Sequence, residues 1–348
     1  MRFSRSILLL ASLSLLACNN ENPSPTNTSG TSTDSTEAAI QSPKPKSSLD
    51  SLDALIAAEP NNLEALSERG FEKLQRNDQQ GAWLDFQRAF NVDSTYPPLL
   101  LHLGELNMLR NQSRQARNRW TQCANVDPEN IDCRLNLVKL HASIQNFEPA
   151  LKYANELIEI DEYFAPAYLY KGIIARDSRH DTDLALQYFQ KATDLDQENV
   201  EALDLLGVTL ASRGDTLAQY YYKRILELEP NNAEIYYKLG VHYMNIDELN
   251  RAIEAYTKAT QLNPNDANSF YNLGYIFTVK VKDYHEALDY YSKSIKANPN
   301  QNYKAHYGKG YAYEMLGDVI NARKEYLKTL ELLPVHQPAK EGLQRINN

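Results

Sequence analysis

Between Leu63 and His336 the apolar residues fall at intervals of three and four, the spacing of one face of an α-helix. One stretch runs Tyr236, Leu239, Gly240 and Tyr243, then, after a polar break, Ala252, Tyr256 and Ala259. Such a unit predicts two helices, the second closed by Pro264 and its polar neighbours. The unit recurs. Glycines stand at 70, 104, 172, 207, 240, 274 and 310, with gaps of 34, 68, 35, 33, 34 and 36, and Val138 takes the skipped place. About twelve residues after each comes an alanine (82, 116, 150, 185, 218, 252, 287, 322). Four residues later stands a bulky one: Phe86, Trp120, Phe189, Tyr222, Tyr256, Tyr291 and Tyr326, with Ala154 the exception. Small residues let two helices approach closely and bulky ones fill the space beside them. Most of the folded body is expected to be helix, with no strands.

This register of glycine, alanine, aromatic and proline (60, 128, 230, 264, 299 and 334) resembles the tetratricopeptide repeat family from Leu63 to His336. The resemblance implies an all-α fold: an α-α superhelix whose first helices line a concave groove. Eight repeats are expected, at 63–96, 97–130, 131–164, 165–199, 200–232, 233–266, 267–302 and 303–336. The third departs most, with Val138 for glycine, Ala154 for the aromatic and Glu162 for proline. Residues 49–62 are expected to cap the N-terminal end with a helix, and 337–348 to form the polar C-terminal cap that solenoids require.

The chain ahead of the repeats has a different character. Arg2 and Arg5 precede an apolar run from Ile7 to Leu16, half the roughly 20 residues needed to span a bilayer. A basic start, a short apolar run and a small residue at the cut describe a secretory signal over 1–17. Leu15-Leu16-Ala17-Cys18 resembles the lipobox of bacterial lipoproteins. In that family the cysteine becomes the first mature residue and carries acyl chains such as palmitate, several of which anchor stably where one would not. Asn19, where an aspartate would imply inner-membrane retention, implies the outer membrane of a Gram-negative bacterium. The alternative is cleavage after Ala17, with Cys18 left as an ordinary thiol. From residue 18 to 48 Ser, Thr, Asn and Pro dominate, a composition unable to offset its own ordering entropy. That segment is expected to be a disordered tether, spanning roughly 30 Å as a random coil.

Composition narrows the chemistry. A net charge of −9 and a pI near 5.4 argue against a nucleic-acid surface. Removing the signal, with its two arginines and no acids, gives −9 − 2 = −11. None of the seven histidines lies in a metal-ligand spacing, and there is no Gly-x-Ser-x-Gly elbow or phosphate-binding loop. A non-enzymatic protein without cofactor or metal is therefore expected. Cys123 and Cys133 should lie on helices packed side by side, so a disulfide between them is one possibility. The other is that Cys123 fills the place held elsewhere by Ala89, Ala192 and Ala259.

The repeat resemblance implies that positions 2, 5, 9 and 12 of each first helix face the groove. Repeat six then contributes Glu234, Tyr237, Val241 and Met244. Repeat seven contributes Asn268, Tyr271, Tyr275 and Thr278, and repeat eight Lys304, Tyr307, Tyr311 and Glu314. Tyrosine at position 5 is common in the family, so Tyr275 and Tyr311 at position 9 carry more information. Relatives that clamp a C-terminal carboxylate use lysine at position 5 and asparagine at position 9, which these rungs lack. The leading expectation is an envelope scaffold that binds a protein or peptide in the groove and meets the membrane through its lipid. Glycan or peptidoglycan binding by the groove tyrosines is the rival. Sugar sites pair rings with planar polar groups, whereas Val, Thr and Met separate these rings, which favours peptide. Hydrolase activity is a third possibility.

Overall fold

The computed structural model describes residues 48–347. The signal, Cys18 and the tether up to residue 47 lie outside the described residues. Among the described residues there are eighteen α-helices and no strand. α1 (Ser48–Ala58) precedes eight helical hairpins. These are α2 (Leu63–Gln75) with α3 (Gln79–Val92), α4 (Pro97–Leu109) with α5 (Ser113–Val126), and α6 (Ile131–Ser143) with α7 (Phe147–Ile160). Next come α8 (Ala165–Arg179) with α9 (Thr182–Leu195), α10 (Val200–Ser212) with α11 (Ala218–Leu228), and α12 (Ala233–Asn245) with α13 (Leu249–Leu262). α14 (Ala267–Tyr275) continues into a π-helical turn (Ile276–Val281) before α15 (Tyr284–Ala297); α16 (Tyr303–Met315) pairs with α17 (Val319–Leu332), and α18 (Gln337–Arg345) follows. Ser48, assigned from sequence to the tether, is the first residue of α1. The first cap helix thus runs one residue earlier and ends four residues sooner than the expected 49–62 segment.

Local chemistry explains the punctuation. Asn62, Asn130, Asn199, Asn232 and Asn302 cap first helices, each side chain accepting from the N–H three residues on. Asp78, Asp181, Asp283 and Asp318 do the same for second helices. Every hairpin turn contains one left-handed residue: Asn77, Asn111, Gln145, His180, Gly214, Asp247, Lys282 or Gly317. That conformation is what reverses the chain after a helix.

The core is a ladder of ring against glycine. Phe86, Phe189, Tyr222, Tyr256, Tyr291 and Tyr326 are essentially inaccessible to solvent. Each faces the glycine of its own hairpin so closely that a Cβ on Gly70, Gly172, Gly240 or Gly274 would stand 2.4–2.7 Å from ring carbon. Burying such a side chain contributes about 1.5–3 kcal/mol, so the ladder is a large part of each hairpin's stability. The third hairpin reverses the sizes: Val138 supplies bulk on the first helix and Ala154 makes room on the second, both fully buried in one cluster. The departure there is compensated rather than defective. A disulfide joins Cys123 on α5 to Cys133 on α6, with Cα atoms 6.2 Å apart, and so staples the second hairpin to the third.

Candidate interaction groove

Three first helices, α12, α14 and α16, place the expected tyrosines. Those at position 5 do not stand free. Tyr237 packs on Tyr256 with ring centroids 6.0 Å apart, Tyr271 on Tyr291 at 6.0 Å, and Tyr307 on Tyr326 at 5.9 Å. Burial raises the phenol pKa of all three above the ordinary value. They form a half-buried floor keyed to the core ladder. Position 9 behaves differently: Tyr275 is 40% exposed, while Tyr311, Val241 and, at position 12, Met244 are half-buried. The phenols of Tyr275, Tyr303 and Tyr307 add a smaller upward push to the Tyr271 pKa. Tyr303 stands at position 1, outside the pattern read from sequence. His336, the N-cap of α18, packs on Tyr307 with centroids 4.9 Å apart and the rings tilted by 54°, and closes the last rung.

Thr278 does not line the groove. It is buried, and its hydroxyl donates to the Gly274 carbonyl (2.7 Å) and lies 3.1 Å from the Tyr291 hydroxyl. The cause is the π-helical turn, where each residue advances less around the axis than in an α-helix. The interval from Gly274 to Gly310 is 36 residues, and the extra length is taken up in and after this turn, rotating Thr278 inward. Glu314 is also committed: its carboxylate accepts from Arg345 of α18 (2.7 and 2.9 Å) and from the Tyr326 hydroxyl. Lys238 is held between Asp204 and Glu234, each 2.8 Å away. Around repeats five to eight Glu314, Lys238 and Glu234 are thus internally paired, Lys304 is exposed and in no ion pair among the described residues, and the rest of the open chemistry is aromatic and hydroxylic.

The opposite end of the groove is ionic. Glu105 of α4 is pushed up to about 7, first by burial and then by Asp132, with Lys139 opposing. This carboxyl therefore titrates near neutrality. Among the described residues no group of three or more His, Cys, Asp and Glu side chains could hold a metal ion.

Models of the tetratricopeptide repeat match residues 221–254 and 279–335, and a TPR repeat model matches 243–278. The chain carries tetratricopeptide repeats. Superkiller protein 3 of Schizosaccharomyces pombe is 25% identical over 293 residues, covering 81% of this chain and 19% of its own length. Mitochondrial import receptor subunit TOM70 of Homo sapiens is 22% identical over 209 residues, covering 47% of this chain and 34% of its own. Curated relatives are thus matched over only 19% to 34% of their length. The C-terminal part of a TPR repeat-containing protein from Cytophaga hutchinsonii superposes with a TM-score of 0.59 at 19% identity. That match covers 70% of this chain and 99% of the other, a likeness of fold.

Proposed function

We propose that this protein is a non-enzymatic scaffold that docks a segment of another protein along the first helices of repeats six to eight. The observation that carries the reading is the layered tyrosine surface: Tyr237, Tyr271 and Tyr307 keyed into the core, with Tyr275 exposed above them. A tyrosine fixed by packing offers a large apolar face and a hydroxyl without further loss of rotamer entropy, which suits an interface. The TPR matches support a protein-binding role, as does the receptor named among the relatives. The expected partner is an extended or helical peptide segment contributing apolar side chains, because all the nearby charges but Lys304 are already paired. Replacing Tyr275 and Tyr311 together by alanine is expected to abolish partner capture with helicity unchanged. In-cell crosslinking from position 275 identifies the captured protein, and undiminished capture by the double variant would move the site elsewhere.

The same reading places the scaffold in a cell envelope, held to the outer membrane of a Gram-negative bacterium by acylated Cys18. It is supported by the Leu15-Leu16-Ala17-Cys18 tetrapeptide and by the Cys123–Cys133 bridge, which suits an oxidising compartment. Metabolic labelling with a palmitate analogue tests it: the label is expected on the wild type and absent from Cys18→Ser. An unlabelled wild type that remains in the aqueous phase of a detergent partition would refute the anchor.

A further inference from the structure

Seven of the eight second helices have 14 residues and carry the repeat alanine at their fourth position; α11 has 11 and begins on that alanine, Ala218. The reason lies in the spacing. Gly207 to Ala218 is 11 residues, whereas Gly104 to Ala116, Gly240 to Ala252 and Gly310 to Ala322 are each 12. One residue short, the chain turns through left-handed Gly214, and Asp215 accepts from the Leu217 N–H (2.9 Å) and, through its carbonyl, from Ala218 (3.1 Å). The first turn of α11 is lost, about 4.5 Å of helix. Along the seam between α9 and α11 lie two adjoining cavities of about 360 and 500 Å³, which share Gln190, Asp194 and Tyr221. Both are open to solvent, and a comparable depression of about 660 Å³ lies along the α5–α7 seam, where both second helices have their full 14 residues, so what sets the α9–α11 furrow apart is its lining.

We propose that this α9–α11 furrow binds a neutral saccharide. Its walls pair rings with planar hydrogen-bonding groups, the combination missing from the tyrosine groove. Tyr220 is 56% exposed and meets Tyr221 edge-on, with centroids 5.2 Å apart at 84°. Tyr221 donates to Gln190 Oε1 (2.6 Å), and Gln190 Nε2 donates to Asp194 Oδ1 (2.8 Å). Gln190 Nε2 also reaches Thr193 Oγ1 (3.5 Å), so this chain holds an amide and a carboxylate in fixed planes with lone pairs left to accept from ligand hydroxyls. Gln187 and Gln197 add two more amides, while Leu203, Leu206 and Leu210 form the floor. A pyranose fits both surfaces, its C–H face on a ring or leucine and its hydroxyls on the amides. The lining carries both signs: Asp194, Lys191, whose ammonium lies over the Tyr168 ring, and Arg224, which is held by Glu227. Neither a phosphate nor a polycation finds a single-signed pocket here.

The full chain is titrated with chitotriose, cellotriose and maltotriose by calorimetry. Saturable binding of at least one is expected, weakened about tenfold or more by Tyr220→Ala and by Gln190→Ala and left unchanged by Tyr275→Ala in the groove. No saturation by any of the three sugars would overturn the proposal. So would binding that survives Tyr220→Ala, or a protein captured at Tyr220 in the absence of sugar binding.

Discussion

His242 on α12 is fully buried, and neither ring nitrogen has a hydrogen-bond partner. Two residues after the repeat glycine (Val138 in the third repeat), four of the seven other repeats hold a large aliphatic residue, Leu106, Leu140, Ile174 or Ile276, and Thr209 and Ala312 are buried there too, with Glu72 alone half-buried. The site is therefore built for an aliphatic side chain, and a histidine there forfeits its hydrogen bonds to water without replacing them. An unsatisfied buried polar group costs about 1–3 kcal/mol, and leucine is close enough in size to fill the space. His242→Leu is therefore expected to stabilise the fold by about 1–2 kcal/mol at neutral pH. Acid enlarges the difference. Burial lowers the His242 pKa, against a smaller opposing effect of Asp215. As pH falls below the ordinary value of about 6.5, the unfolded chain binds a proton that the folded chain refuses, so wild-type stability drops. The variant lacks this site of proton uptake. Urea unfolding followed by circular dichroism at pH 7.5 and 5.5 measures both effects, with the variant's midpoint higher throughout and the gap wider at pH 5.5. Equal midpoints, or a gap that narrows in acid, would refute the reasoning.

Glu105 carries the opposite sign: with its pKa raised to about 7, the folded chain holds a proton more tightly than the unfolded one, so stability falls as pH rises from about 4.5 to 7. Glu105→Gln should therefore gain about 1–2 kcal/mol at pH 8, after allowance for partial exposure, and nothing at pH 4; unfolding at the two pH values checks it. In Gly104→Ala a new Cβ would stand 2.1 Å from Trp120 Nε1, whose N–H donates to the Leu101 carbonyl at 3.1 Å. The expected loss is about 1–3 kcal/mol in thermal or urea unfolding despite alanine's better helix propensity. Replacing Cys123 and Cys133 by serine opens a loop of 10 residues and is expected to cost about 2–3 kcal/mol; wild-type unfolding under reducing conditions should show a comparable loss.

Repeat number and helix-pair architecture were legible in the residue order, because in a solenoid each hairpin contacts chiefly its neighbours. A glycine opposite a ring, an asparagine before a helix and a proline after one act within a few residues or one hairpin, so their spacing alone carries the information. The outcome changed wherever a contact or a rotation around the axis intervened. The length of the Gly274–Gly310 interval was plain, but not that a π turn would absorb part of it and turn Thr278 inward. Val138 and Ala154 read as two defects until packing set them side by side as an exchange of volume. Position 5 named Tyr237, Tyr271 and Tyr307 as groove residues, yet their half-burial follows from rings on the facing helix. The residue missing before Ala218 could be counted in the chain; that it leaves the seam beside α9 short of a helical turn depends on how three successive helices stack. Periodicity sets which elements form, while side-chain volume and helix rotation, summed across neighbours, set which surfaces stay open.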